Sequence, residues 1–166
     1  SVLIGPSGII GKYRKLHLFY NEKLFFQPGD TVPQVYDTPI GRLGMLICFD
    51  WMFPELWRIM ALKGCQLIAH PSNLVMPYAQ RVIPSYSIIN RIFIITANRC
   101  GHERELSFTG SSVISNPRGQ ILPGAGPEEE KYGLCSLNTD DADDKRINAK
   151  NHLFDDRRSD FYKEIL

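Results

Sequence analysis

Gly44-Met45-Leu46-Ile47-Cys48-Phe49-Asp50-Trp51-Met52-Phe53-Pro54-Glu55 is the stretch whose reading decides how this chain folds. Its first half continues the apolar run that begins at Leu43, as a strand covered on both faces does. Its last two residues open a helix: Pro54 suits a first turn, and Glu55 complements the N-terminal dipole. Leu56, Ile59, Met60 and Lys63 then share one face, Trp57 and Ala61 do the same, and Gly64 stands where a helix-ending glycine belongs. Between buried strand and helix lies Cys48. Such a corner projects a side chain off the sheet, and a nearby helix N-terminus lowers a thiol's pKa toward the nucleophilic thiolate. The plain alternative is an inert buried cysteine, which Cys48 taken alone favours.

Upstream of this stretch, residues 2–4 and 9–13 read as a hairpin turning at Pro6-Ser7-Gly8. Residues 20–34 read as a loop, and residues 34–37 and 41–47 as strands joined by a turn at 38–41. Downstream, residues 66–69 and 92–97 are strand-like, and 80–90 is a helix that Pro84 interrupts early. Residues 113–115, 120–122 and 133–137 continue the strands, with a hairpin turn at Asn116-Pro117-Arg118-Gly119. Mixed strands and helices predict α/β (α+β) layers rather than a sandwich of sheets alone or a bundle.

The chain has 166 residues, 43% of them apolar, which suffices for one compact domain and excludes a disordered, collagenous or coiled-coil protein. A formal net charge of +1 gives no footprint for nucleic acid or an anionic membrane. The longest uncharged stretch, Gly64 to Gln80, holds His70, Asn73 and two prolines and does not read as a membrane span. No basic-then-apolar leader is visible, and the chain opens on Ser1 rather than Met. Cys48, Cys65, Cys100 and Cys135 form no CxxC pair, so free thiols in a reducing cytoplasm are expected, all but Cys48 as packing residues. Fourteen of the 37 charged residues fall within 140–166, where a helix starting near Thr139 gives way to a solvated tail.

Other constellations carry less. Lys12, Arg14 and Lys15 alternate with apolar residues at a strand end, either protecting an edge or turning one lysine inward toward an anion. Cys48, His70, Asn73 and His102 raise a Cys–His–Asn protease reading, but the papain-type signature is absent. Cys100-Gly101-His102 is one isolated pair without a second at metal-ligand spacing, and there is no Gly-rich phosphate loop.

Taken in order, three blocks change the odds: Tyr13-Arg14-Lys15-Leu16-His17-Leu18, Phe25-Phe26-Gln27-Pro28-Gly29-Asp30, and the opening stretch from Gly44 to Glu55. Together they resemble the nitrilase (carbon–nitrogen hydrolase) superfamily. His70-Pro71-Ser72-Asn73, Thr96-Ala97-Asn98-Arg99 and Phe108-Thr109-Gly110-Ser111-Ser112 fit the same pattern, which looks closest to archaeal members through Asn73-Leu74-Val75-Met76-Pro77-Tyr78-Ala79.

The resemblance implies a Glu–Lys–Cys triad on a four-layer αββα sandwich, of which residues 1–166 would be the C-terminal portion. Cys48 would attack a small amide or nitrile and form a thioester, which water then hydrolyses. Lys15 and the backbone N–H of Phe49 would stabilise the developing negative charge. Glu22 matches an auxiliary glutamate, and Trp51 and Asn73 would contact the substrate. Asp50 and Glu55 read as structural partners. The family's catalytic glutamate lies upstream of the lysine, whereas residues 1–14 contain no acid. The chain alone is therefore expected to be inactive, and the rival reading is a non-catalytic chain that pairs with a partner. Where the family often has Glu-Asn, this chain has Ile89-Asn90. The resemblance implies no cofactor and no metal, and a homodimer or higher homo-oligomer.

Overall fold

A computed structural model of the chain describes residues 1–165. Its centre is a six-stranded sheet built around the opening stretch. Strand β4 (Gly41–Met45) runs parallel to β5 (Leu67–Ser72), and β5 runs parallel to β6 (Phe93–Asn98). Parallel neighbours need crossovers. Helix α2 (Pro54–Leu62) supplies the first and α3 (Ala79–Asn90) the second. Strand β3 (Val35–Thr38) pairs antiparallel on one side, and β9 (Val113–Ser115) and β10 (Ile121–Leu122) pair antiparallel on the other. Two hairpins stand apart: β1 (Val2–Gly5) with β2 (Gly8–Lys12), and β7 (Cys100–Glu103) with β8 (Leu106–Thr109).

One sheet face is closed by helix; the other is covered around Leu43, Met45, Leu67 and Phe93 and open farther along β5 and β6. Ile68, His70, Ile94 and Thr96 are buried, whereas Ala69, Pro71, Ile95 and Ala97 between them are half-buried or exposed. This alternation is the two-residue period of a strand. The closed face meets α2 and α3 through Trp57, Met60, Ile83 and Tyr86, and the Trp57 and Tyr86 rings stack with centroids 4.9 Å apart. Full burial of each such side chain contributes roughly 1.5–3 kcal/mol.

Several expectations need correction. The loop at 20–34 holds a short helix, α1 (Glu22–Phe25), and the 80–90 helix runs through Pro84 without a break. Buried Ile83 and Tyr86 on either side hold that turn in place by packing. Helix α3 ends on Arg91 at φ +50°, a left-handed position usually given to glycine. Residues 133–137 form no strand, and Tyr132 and Leu134 lie almost wholly in water. The helix expected near Thr139 is one 3-10 turn, Thr139–Ala142, followed by irregular chain and two further short turns. Asn and Asp side chains there bond to nearby backbone instead: Asn138 accepts from Asp140 N–H, and Asp144 from Arg146 N–H at 3.1 Å.

This irregular segment is tied down all the same. Asp143 pairs with Arg42 on β4 and accepts from Gln66 at 2.9 Å. The Lys145 ammonium is buried and donates to the carbonyls of Asn90 and Arg91 at 3.1 and 2.8 Å, satisfying the C-terminal end of α3. Among the described residues no helix is long and apolar enough to cross a membrane.

Candidate active site

The corner after β4 is built as the strand-to-helix reading requires, with one addition: Cys48 sits at φ +46°. A left-handed non-glycine residue costs about 1–2 kcal/mol, so neighbouring contacts must hold it. Ile47 is still extended, and a 3-10 turn, Cys48–Met52, follows before α2 begins. Asp50 closes that turn. Its backbone N–H donates to the Ile47 carbonyl at 3.0 Å, and its carboxylate accepts from the Ile47 N–H at 3.0 Å.

The Asp50 carboxylate, wholly buried, also accepts the Tyr13 hydroxyl at 2.7 Å, the His17 N–H at 3.1 Å and the His17 Nδ1 at 2.9 Å. Four donors satisfy a group whose burial alone would be costly. Tyr13 and His17 flank Lys15, so one carboxylate binds the Cys48 corner to the segment carrying Lys15. Asp50 is thus the structural partner expected.

The structure also chooses among the three cations. Lys12 is exposed, and Arg14 pairs outward with Asp30 at 3.0 Å. Lys15 turns inward, its side chain 11% exposed, and meets Glu22 at 2.5 Å. The same Glu22 oxygen accepts the Phe19 N–H at 2.7 Å, so α1 presents the acid to the lysine. Gly29 donates its N–H to the Lys15 carbonyl at 2.7 Å from behind.

Burial pushes the Cys48 thiol pKa up, and it outweighs the backbone N–H groups of Asn73 and Phe49 and the Lys15 charge, which pull it down. The expected net lowering is not found, because the corner is more enclosed than its sequence suggests. Cys48, Phe49, Trp51 and Asn73 line one narrow cleft, with Phe19 and Val75 beside them. Trp51 is buried at its base, and Asn73 is exposed at its rim. The loop bearing Asn73 is held by Asn98, which accepts the Leu74 N–H at 2.9 Å and donates to Gly110. A broader groove of about 610 Å³ continues from Glu22 and Asn73 to the β7–β8 hairpin, where Arg99 lies over the Phe108 ring. The site residues named from the sequence therefore converge on one place.

His70 does not face the thiol. Its Nε2 lies 2.9 Å from the Cys48 carbonyl and its Nδ1 lies 3.1 Å from the Thr96 hydroxyl. Both ring nitrogens are occupied, which removes His70 from the Cys–His–Asn protease reading; His102 lies exposed on β7. Sequence reasoning missed the β7–β8 hairpin and the backbone target of His70. Neither carried a sequence signal: the hairpin turns through Arg104 at φ +54° with no Gly, Pro, Asn or Asp at the turn, and no local pattern marks the target of His70. Among the described residues no group of three or more His, Cys, Asp or Glu side chains is placed to hold a metal ion.

Residues 1–159 match the carbon-nitrogen hydrolase family. A nitrilase of Pyrococcus abyssi is 48% identical over 162 residues, covering 98% of this chain and 62% of the relative. A carbon-nitrogen hydrolase from Helicobacter pylori superposes with a TM-score of 0.84 at 28% identity, covering 96% of this chain and 61% of that one. An amidase from Nesterenkonia sp. AN1 has a TM-score of 0.79 at 31% identity, covering 96% and 57%. That structure, of a mutant, shows covalent addition of the acetamide moiety of fluoroacetamide at its active site cysteine. The chain spans about three-fifths of the length of these relatives and forms the corresponding part of their fold. It belongs to the carbon–nitrogen hydrolase family, the nitrilase superfamily.

Proposed function

We propose that the protein hydrolyses a non-peptide C–N bond of a small amide or nitrile through a thioester on Cys48. The observation that carries the reading is the left-handed corner, which sets Cys48 in a cleft beside Asn73 N–H, Phe49 N–H and the Lys15 charge. Cys48 loses its thiol proton to a carboxylate base as sulfur bonds to the substrate carbon. With an amide, the oxygen that gains charge is stabilised by the Lys15 ammonium and the Phe49 N–H. The C–N bond then breaks, and the nitrogen departs with the proton as ammonia or an amine. Water adds to the thioester, the base takes one of its protons, and the acid is released as the thiol re-forms.

Glu22 aims the Lys15 ammonium into the site, and Trp51 and Asn73 bound the substrate. The base itself is a glutamate expected upstream of Ser1. Self-association into a homodimer or larger homo-oligomer belongs to the same reading. The decisive experiment uses a polypeptide of the relatives' full length. It should release ammonia from simple amides or nitriles, and Cys48→Ala should reduce the rate by at least about 10³-fold. Undiminished turnover in Cys48→Ala would refute the assignment.

A further inference from the structure

We propose that His70 is a positioning residue for Cys48, its Nε2–H gripping the Cys48 carbonyl so that the nucleophile keeps its left-handed backbone. The inference rests on the thioester reading above and adds a residue to it.

The argument begins with strand register. β5 runs parallel to β4, and the Leu46 N–H still donates to the Ala69 carbonyl at 3.1 Å, one residue past the end of β4. Past that point the chain leaves the sheet at Cys48. His70 is the next residue along β5, and the alternation of the strand sends its side chain to the helix-covered face, beneath the corner. There it meets a backbone carbonyl, which only accepts, so Nε2 must carry the proton. The neutral ring then offers Nδ1 as an acceptor to the Thr96 hydroxyl at 3.1 Å, with Ser72 Oγ 3.4 Å away. Donor and acceptor run in one direction from Thr96 through the ring to Cys48. Such a chain polarises its members and is strengthened by low dielectric.

The surroundings keep the ring in that state. His70 is 1% exposed, and its ring packs edge-on against Trp57 with centroids 5.5 Å apart. Burial drives its pKa down to about 4, so it remains neutral near pH 7. Asp50 grips the corner at the Ile47 N–H, and His70 grips it at the Cys48 carbonyl two bonds past the Cα. The left-handed residue is thus held on both sides. Neither group touches sulfur. His70 is excluded as the base for the thiol, because its Nε2 proton is committed to the carbonyl.

The test uses the full-length polypeptide and two readouts, steady-state hydrolysis and the rate of Cys48 alkylation by iodoacetamide. His70→Phe keeps an aromatic ring and removes the donor. It should lower kcat by about 10- to 100-fold with KM changed less than about threefold, the scale expected when a reacting group is misplaced by about an ångström. Alkylation should slow in parallel, while the pH–rate profile keeps its inflections. His70→Gln restores an N–H donor and should recover most of both rates. Unchanged kcat and alkylation in a folded His70→Phe protein would overturn the proposal, as would loss of an inflection in the pH profile. Should His70→Phe not fold, Thr96→Val decides: it leaves the ring but removes the hydroxyl that orients it. A fall of about threefold or more in both rates supports the proposal, and no change overturns it. Failure of the parent reading is separate, since it shows as full turnover in Cys48→Ala.

Discussion

Lys12, Tyr13, Arg14 and Lys15 occupy alternate sides of one extended segment, and a single step along it decides which cation enters the site. Tyr13 is anchored on Asp50, Arg14 is drawn out to Asp30, and Lys15 is left facing Glu22. Lys15→Met should therefore lower kcat by roughly 10²–10³-fold, the usual cost of losing one preorganised charge stabiliser. The same change removes a charge that pulls the Cys48 thiol down. Alkylation of Cys48 in Lys15→Met should accordingly need a higher pH than in the parent, and identical pH curves would show that the charge does not reach the sulfur. His70 supplies a second pH effect with a definite sign. Its pKa falls from 6.5 to about 4 on folding, so between those values the unfolded chain binds the extra proton. Stability is fully present above pH 6.5 and declines as pH falls toward 4, by about 3 kcal/mol for a shift of this size. Urea midpoints at pH 7 and pH 4.5 measure it, and His70→Gln should flatten that limb.

Secondary-structure elements were legible where their periodicity was complete. Helix α2 announced itself through Pro54, Glu55 and the Leu56–Met60 face, and β4 through its unbroken apolar run. Cys48 was legible at the junction of the two. The β7–β8 hairpin was hidden because its strands are largely exposed on both sides, leaving no apolar alternation to read. The C-terminal charged run misled for the opposite reason: its aspartates suggested a helix face, yet they bond to local backbone and break the helix up. The four donors on Asp50 and the grip of His70 depend on how β5 and the Tyr13 segment register against the corner, which no local pattern encodes. Gly29 shows the same dependence. A Cβ there would run into the Arg14 carbonyl, directly behind Lys15. Gly29→Ala should cost about 1–3 kcal/mol, measured by thermal or urea unfolding, and lower kcat through a displaced Lys15. A variant of unchanged stability and rate would show that this backbone contact relaxes freely.

For the molecule as a whole, the open part of the second sheet face is the dominant physical fact. Ala69, Ile95 and Ala97 lack helix cover, and the β1–β2 hairpin leaves Ile4 and Ile9 exposed at 69% and 73%. Exposed apolar surface of this kind binds hydrophobic dyes and promotes association. The 166-residue chain should give markedly stronger anilinonaphthalene sulfonate fluorescence than a polypeptide of the relatives' length; equal signals would mean that the face is covered in the shorter chain too. The anchors of the irregular C-terminal segment act at this scale as well. Asp143 reaches Arg42 across 101 residues, and Lys145 reaches Asn90 across 55. Loop closure over such distances is entropically expensive until the sheet exists to receive it. During synthesis the carbonyls ending α3 must wait for Lys145 to leave the ribosome, more than fifty residues after the helix itself has emerged. The last turn of α3 should then stay loose in the nascent chain after the rest of the helix has packed, leaving a chaperone that interval in which to meet it.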